Sequence, residues 1–209
     1  MALEAIDLSL VDGNILTAFW PLMKKVFSKS TLSPKDINPE LIPMQRKKAL
    51  IAFVSVGPGK TSAQDAIRFH AVGDDGKSQP YLKYVWLLYS PKSAENAEEI
   101  RKNALSSYPI KCEMVELDLT NDVQNLKKIK EKIDIIAKKA SLEGISHEDL
   151  AIDLTGGTVI VSLSFFLSSL LYGFNMQIMI PNETDQDGRP VFEAGSRAFG
   201  IALTNFENR

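Results

Sequence analysis

The stretch Ala49-Leu-Ile-Ala-Phe-Val-Ser-Val-Gly-Pro-Gly-Lys-Thr-Ser62 decides the fold of this chain. It opens with an apolar run rich in β-branched side chains, which predicts a strand over 49–56 that is buried on both faces. The glycines of the Gly-Pro-Gly triplet end that run, and the residues from Ser62 to about Ala71 predict a helix. A buried strand that leads through a glycine turn into a helix is the building unit of an α/β protein.

The same unit recurs along the chain as far as residue 181. Further strands are predicted at 84–89, 111–117, 150–154 and 177–180, with a closing segment at 198–203, and further helices at 94–106, 121–141 and 159–174. Because these strands are short and apolar on both faces, they predict a parallel sheet covered on both sides. The predicted fold class is α/β and Rossmann-like, with a mostly parallel sheet of about six strands and helices on both faces.

The turn after the first strand carries residue types that suit a phosphate or a ribose. It offers backbone amides, one ammonium group and two hydroxyls at the start of a helix. It is not a Walker loop, which needs glycine where Val54 stands, and not a dinucleotide fingerprint, which needs glycine where Ser62 stands. The alternative is a turn that only reverses the chain, with Ser62 capping the helix. The candidate ligand-binding residues of this turn are Gly57, Gly59, Lys60, Thr61 and Ser62.

A second loop, Asp153-Leu-Thr-Gly-Gly-Thr158, follows the strand at 150–154. Its two glycines permit close approach of the backbone, and its amides would point at an anion. The alternative is that Asp153 or Thr155 only caps the helix that follows. The candidate ligand-binding residues of this loop are Thr155, Gly156, Gly157 and Thr158.

This second loop resembles the D-x-T-G-G-T motif of the CRISPR-associated Rossmann-fold (CARF) family. The turn at 56–62 is similar to the family's other ligand loop, and Leu87–Ser93 with Asn96 and Ala97 is similar to its second strand and the turn after it. The resemblance covers residues 47 to about 205. It implies a homodimer or higher homo-oligomer that binds a cyclic oligoadenylate, the second messenger of type III CRISPR antiviral defence, on the two-fold axis.

The resemblance also implies which residues meet the ligand. Gly57, Gly59, Lys60, Thr61 and Ser62 would contact one part of the ring and Thr155 to Thr158 another, with Ser90 and Ser93 nearby. Cyclic tetra-adenylate is the expected ring because its two-fold symmetry matches a symmetric dimer. Asp153 is expected to orient its loop, since two anions repel. No cofactor, metal or catalytic residue is expected.

The chain is expected to comprise an N-terminal apolar helix at 1–29, a proline-rich linker at 30–46 and the CARF domain at 47–209. The N-terminal helix could pack on protein, since Leu8, Val11, Ile15 and Phe19 repeat at helical spacing. Lysines follow this apolar repeat from Lys24 onward, which instead favours a short helix that anchors a cytoplasmic sensor domain in the inner membrane.

Charge and composition exclude several classes of function. With 24 Lys and Arg against 26 Asp and Glu, nothing favours binding to duplex nucleic acid. A single cysteine, Cys112, and two distant histidines, His70 and His147, form neither a disulfide framework nor a zinc cluster of usual spacing.

Four functions remain open at this stage. The domain could signal to its N-terminal helix, or it could dock as a bare sensor on a separate effector. It could instead be a metal-independent ring nuclease, although Val159 stands where many family members have lysine. An unrelated enzyme would have only Asp153, Lys60 and Asp65 as titratable candidates near the loops.

Overall fold

The computed structural model describes residues 38–57, 61–74, 76–119, 122–187 and 189–204. The chain divides into two compact units, residues 40–202 and residues 1–39 with 203–209. Of the second unit, only residues 38, 39, 203 and 204 lie in the described ranges. The predicted helix at 1–29 therefore lies outside the described residues.

The described residues build a mixed sheet, nearly all of it within residues 40–202, whose strands are mostly parallel. Its strands are β1 (Asn38–Pro43), β2 (Ala49–Val54), β3 (Tyr84–Tyr89), β4 (Lys111–Glu116), β5 (Leu150–Asp153), β6 (Asn175–Pro181) and β7 (Ser196–Thr204). The strand order is β1-β7-β6-β5-β2-β3-β4. Neighbouring strands from β6 to β4 pair in parallel, and β7 runs antiparallel to β6. The predicted Rossmann-like α/β fold is confirmed.

Four helices connect the parallel strands. They are α1 (Thr61–Val72), α2 (Ala94–Ser107), α3 (Asp122–Leu142) and α4 (Val159–Tyr172). The α4 helix ends at Gly173, whose φ of 71° is the left-handed conformation that glycine adopts without strain. Each of the four helices predicted between residues 49 and 181 is present, with ends within two residues of the sequence-based bounds.

The alternation of side chains along each strand divides the core into two layers. Leu50, Ala52 and Val54 of β2 pack with buried residues of α1 and α2 on one face of the sheet. Ile51 and Phe53 must therefore point to the opposite face, which α3 and α4, packed against one another, cover. All six residues of β2 are buried, so this strand lies at the centre of both layers.

One strand of the sheet was not predicted. The segment Asn38–Pro43 lies inside the proline-rich stretch that predicts a linker, yet it forms β1, so the sheet has seven strands rather than about six. Its position at the edge of the sheet gives the physical reason, because an edge strand tolerates prolines that a central strand cannot.

The strand order places a switch point between β2 and β5. From β2 the chain moves outward to β3 and β4, then returns to the other side of β2 to form β5 and β6. Since these strands are parallel, the loops that follow β2 and β5 leave the same edge of the sheet side by side. Rossmann-like proteins bind ligands in the crevice at such a point.

A buried histidine joins the C-terminal end of α1 to the sheet. His70 Nδ1 accepts a hydrogen bond of 2.9 Å from the backbone N–H of Lys47, so its proton lies on Nε2 and is donated to Gln177 Oε1 at 2.6 Å. The His70 side chain is fully buried. Burial lowers its pKa to about 4, and the hydrogen bond to Gln177 only partly opposes this shift.

We predict that His70 makes the fold sensitive to acid. Because its folded-state pKa lies below the unfolded value of about 6.5, the unfolded chain binds the extra proton between these values, so stability falls as the pH falls from about 6.5 towards 4. Chemical denaturation across this range should show wild type losing roughly 3 kcal/mol relative to the non-titrating variant His70→Gln. A constant difference between the two proteins would contradict the assignment.

Candidate functional site

The two predicted loops meet directly at the switch point. The backbone N–H of Gly157, in the loop after β5, donates a hydrogen bond of 3.1 Å to Ser55 Oγ, in the loop after β2. This bond joins residues that are 102 positions apart in the sequence. The loops therefore form one continuous surface at the carboxyl edge of the sheet.

Gly156 allows this close approach because it has no side chain. A Cβ atom at Gly156 would lie 2.3 Å from the carbonyl oxygen of Phe53, inside any tolerable contact. Gly157 is needed for a second reason, since its φ is 95°, and a Cβ there would also lie 2.9 Å from the Val161 side chain. The Gly-Gly pair is thus required by the packing of the loop, whatever ligand it meets.

Asp153 holds the loop from below. Its Oδ1 accepts hydrogen bonds from the hydroxyl of Thr155 at 2.7 Å and from the backbone N–H of Thr155 at 3.3 Å. The Thr155 hydroxyl in turn accepts a bond of 2.6 Å from the N–H of Met179 on β6. The geometry therefore agrees with the expected role of Asp153 in orienting the loop, and it commits the Thr155 hydroxyl proton to Asp153.

The Asp153 carboxyl group is completely buried. Within the described part of the chain, its Oδ2 has no hydrogen-bond partner. Burial raises the pKa of Asp153 to about 6, and the hydrogen bonds from Thr155, together with the neighbouring Gln177 side chain, only partly oppose this shift. Its burial beneath the loop keeps this group away from a ligand that lies above.

Thr158 and Gly157 form the exposed rim of the second loop. Thr158 is the residue before α4, but its side chain does not cap that helix. The first backbone N–H groups of a helix have no partner within the helix, so this end of α4 can donate to an anion. Val159, the next residue, is 62% exposed and adds an apolar surface beside these donors.

The structure describes the first loop only in part. Gly57 is exposed, with a φ of 72° and open space around the position of a Cβ atom. Gly59 and Lys60 lie outside the described residues, and only the backbone of Thr61, the first residue of α1, is described. Ser62, in the first turn of α1, is half-buried.

Ser90 and Ser93 lie after β3, on the other side of the first loop. Ser93 is buried, and its hydroxyl contacts the N–H, the carbonyl oxygen and the hydroxyl of Ser90 at 3.1 to 3.2 Å. This pair closes the turn into α2. Asn96, which sequence reasoning noted only within the resemblance, connects the turn to the first loop through a bond of 3.1 Å from Nδ2 to the Ser55 carbonyl oxygen.

The segment before β7 forms a cleft that sequence reasoning missed. A cleft of about 80 Å³ lies between the start of α1, the end of β6 and residues 190–196, and Ser62 and Thr155 line it together with apolar residues of that segment. Ser196 Oγ donates a 2.7 Å bond to Asp65 Oδ2, which ties the segment to α1. Sequence patterns do not predict this contact, because it joins residues 131 positions apart.

Other kinds of site are not found in the described ranges. These residues contain no cluster of His, Cys, Asp and Glu that could hold a metal ion. None of the helices in these ranges has the length and apolar character that a membrane-spanning helix needs. Burial raises the pKa of the Cys112 thiol to about 12, which disfavours a reactive thiolate.

Comparison with protein-family models gives no match, and comparison with curated proteins gives none either. Among solved structures, Enterococcus italicus Csm6 bound to cyclic hexa-2′-fluoro-hexa-dAMP matches with a TM-score of 0.50 and 11% identity, over 65% of this chain and 34% of that chain. Can2 from Sulfobacillus thermosulfidooxidans in complex with cyclic tetra-adenylate gives 0.46 and 15%, over 63% and 32%. A Vibrio cholerae protein gives 0.48 and 11%, over 65% and 31%.

At these identities the likeness concerns the fold alone. The chain spans about a third of the length of each of these proteins. The Csm6 match, with its TM-score of 0.50, supports the fold described above. The strand order and the loop contact define a Rossmann-like α/β domain with two glycine loops paired at its switch point.

We predict that Gly156→Ala destabilises the protein by about 3 kcal/mol, because the methyl group would clash with rigid backbone. Gly144→Ala is the matched control, since Gly144 has a φ of 71° but open space around its Cβ position, and it should cost only about 1 kcal/mol. Chemical denaturation of both variants measures the difference. Equal stabilities would mean that the loop does not lie against Phe53.

Proposed function

We propose that this chain is a CARF-type sensor of type III CRISPR defence that binds a cyclic oligoadenylate over the loops after β2 and β5. The observation that carries the proposal is the hydrogen bond between Gly157 and Ser55, which joins the two loops that the D-x-T-G-G-T resemblance assigns to the ligand. The Csm6 likeness supports the fold on which that resemblance depends.

The chemistry of the paired loops suits a small polyanion. The helices α1 and α4 both begin at this edge of the sheet, so their N-terminal amides carry partial positive charge towards the same surface. The exposed Thr158 adds a hydroxyl, and Lys60 would add an ammonium group from the first loop. A site of this kind needs no overall positive charge, in agreement with the net charge of −2.

The proposal includes a homodimer with one ring on its two-fold axis. A symmetric pair of domains presents two identical sets of loops, and cyclic tetra-adenylate has the matching symmetry. Calorimetry should then give one ring bound per two chains. In this arrangement the exposed apolar side chains Val56 and Val159 at the edges of the two loops would face the partner domain or the bases of the ring.

We further propose that binding is signalled to residues 1–29. The support is sequence alone: an apolar helical face followed by Lys24 and Lys25. Carbonate extraction of membranes from cells that produce the full chain separates a helix in the inner membrane from one that packs on protein. The second outcome, a helix packed on protein, covers both packing on this chain and docking on a separate effector.

Ring cleavage is the alternative activity of the same site. Among the described residues of the loops, Asp153 is a titratable group, but its carboxyl is buried beneath them. In addition, Val159 stands in the position where many family members have lysine. These features favour a sensor that releases its ligand intact. Chromatography of the ligand after incubation distinguishes the two, since a nuclease returns a linear product.

We predict that purified protein binds cyclic tetra-adenylate and that Lys60→Ala weakens the affinity by about ten- to a hundredfold, through loss of a charge-assisted phosphate contact. Lys132→Ala, an exposed lysine on α3, is the control and should leave the affinity unchanged. Isothermal titration calorimetry measures both variants. Absence of binding to rings of four and six adenylates would overturn the proposed function.

A further inference from the structure

The cleft between α1 and residues 190–196 lies directly beside the paired loops. Both loops contribute to it, the first through Ser62 at the start of α1 and the second through Thr155. A ligand held above the loops can therefore extend a group into this cleft. Its volume of about 80 Å³ equals that of two or three water molecules, enough for the edge of a flat ring and too small for a nucleotide.

The walls of the cleft are mainly apolar. Pro181 and Met179 at the end of β6 form one side, and Pro190, Val191 and Phe192 form the other. Phe192 is 39% exposed, so its ring is accessible to a second flat group. An aromatic ring at the mouth of an apolar slot is the arrangement that stacks on nucleobases, which all present a π-face.

One carboxylate enters this apolar slot. Asp65, on the second turn of α1, lines the cleft with 19% of its side chain exposed. Its Oδ2 accepts from Ser196, while among the described residues its Oδ1 makes only a long ion pair, 4.0 Å from Arg68 Nε. Oδ1 thus keeps the capacity to accept a hydrogen bond from a ligand.

We infer that this cleft is a base-reading subsite in which Phe192 stacks on a nucleobase and Asp65 accepts a hydrogen bond from the exocyclic amine of that base. The inference rests on the proposed function, and it names Asp65 as the residue that selects for adenine. It also assigns the segment 190–196, which carries Phe192, to the binding of that base.

The negative charge of Asp65 determines which part of the ligand can enter the cleft. A carboxylate in an apolar slot repels a phosphate, so the phosphates must lie over the loops and a neutral group must enter the cleft. An exocyclic NH₂ group can donate the hydrogen bond that Asp65 Oδ1 is able to accept. A base with a carbonyl oxygen at the same position would set two acceptors against each other and leave a desolvated carboxylate without its bond.

The test compares cyclic tetra-adenylate with its inosine analogue, in which a carbonyl oxygen replaces each exocyclic amine. Wild type should prefer the adenine ring at least tenfold, the usual effect of a hydrogen bond to a charged group. Asp65→Asn should reduce this preference to about threefold or less, because an amide can donate as well as accept. Asp74→Asn, an exposed carboxylate beyond the end of α1, should keep the full preference.

A second variant gives a different readout. Phe192→Ala should weaken both rings about equally and by about tenfold, since stacking does not depend on the exocyclic group. Titration calorimetry on the full chain measures every combination. Wild type that binds the adenine ring without preference, or Asp65→Asn that keeps the preference, overturns this inference alone; wild type that binds neither ring removes the proposed function as well.

Discussion

The arrangement of this domain depends on the contact between two loops that leave neighbouring parallel strands. Gly157 donates its amide hydrogen to Ser55, and Gly156 lies so close to the Phe53 carbonyl that no side chain could be present. Because β2 and β5 are adjacent only through the reversal of strand order, the sheet itself creates this contact. The two loops lead into the N-termini of α1 and α4, and the free amides of these helix ends give this edge of the sheet a partial positive charge.

Beneath the loops, buried polar groups fix their position. Asp153 holds Thr155, Thr155 holds the backbone of Met179, and Gln177 on the same strand holds His70. A buried carboxyl group is costly unless it is bonded, so the contact between Asp153 and Thr155 favours one conformation of the second loop over others. The bond between His70 and Gln177 holds α1 against the same strand. The loop surface is therefore preorganised, which reduces the ordering cost of binding a ligand.

The sequence predicted the parts of this molecule that arise from local patterns. Apolar runs such as Ala49–Val54 identify parallel strands because such strands are buried on both faces. Loops that follow parallel strands leave the sheet at its carboxyl edge, where such folds bind ligands. The predicted strands were therefore sufficient to place the two glycine loops on one edge.

The features that sequence missed depend on contacts between distant positions. The prolines of 38–43 predicted a linker, because their tolerance at a sheet edge is visible only once β7 is placed next to them. The burial of Ser93 and the capture of the Thr155 hydroxyl by Asp153 depend on packing, so residue type alone could not separate the hydroxyls that hold the loop from those that face outward. The Asp65–Ser196 bond has no local signal at all.

The claim that the two loops act as one ligand surface can be tested by NMR titration of the ¹⁵N-labelled protein with cyclic tetra-adenylate. The amide signals of Gly57 and Thr158, one from each loop, should shift together and saturate at the same ligand concentration. Signals of Gly144, at the opposite edge of the sheet beyond α3, should stay in place. Shifts confined to one loop, or centred away from both, would contradict the account.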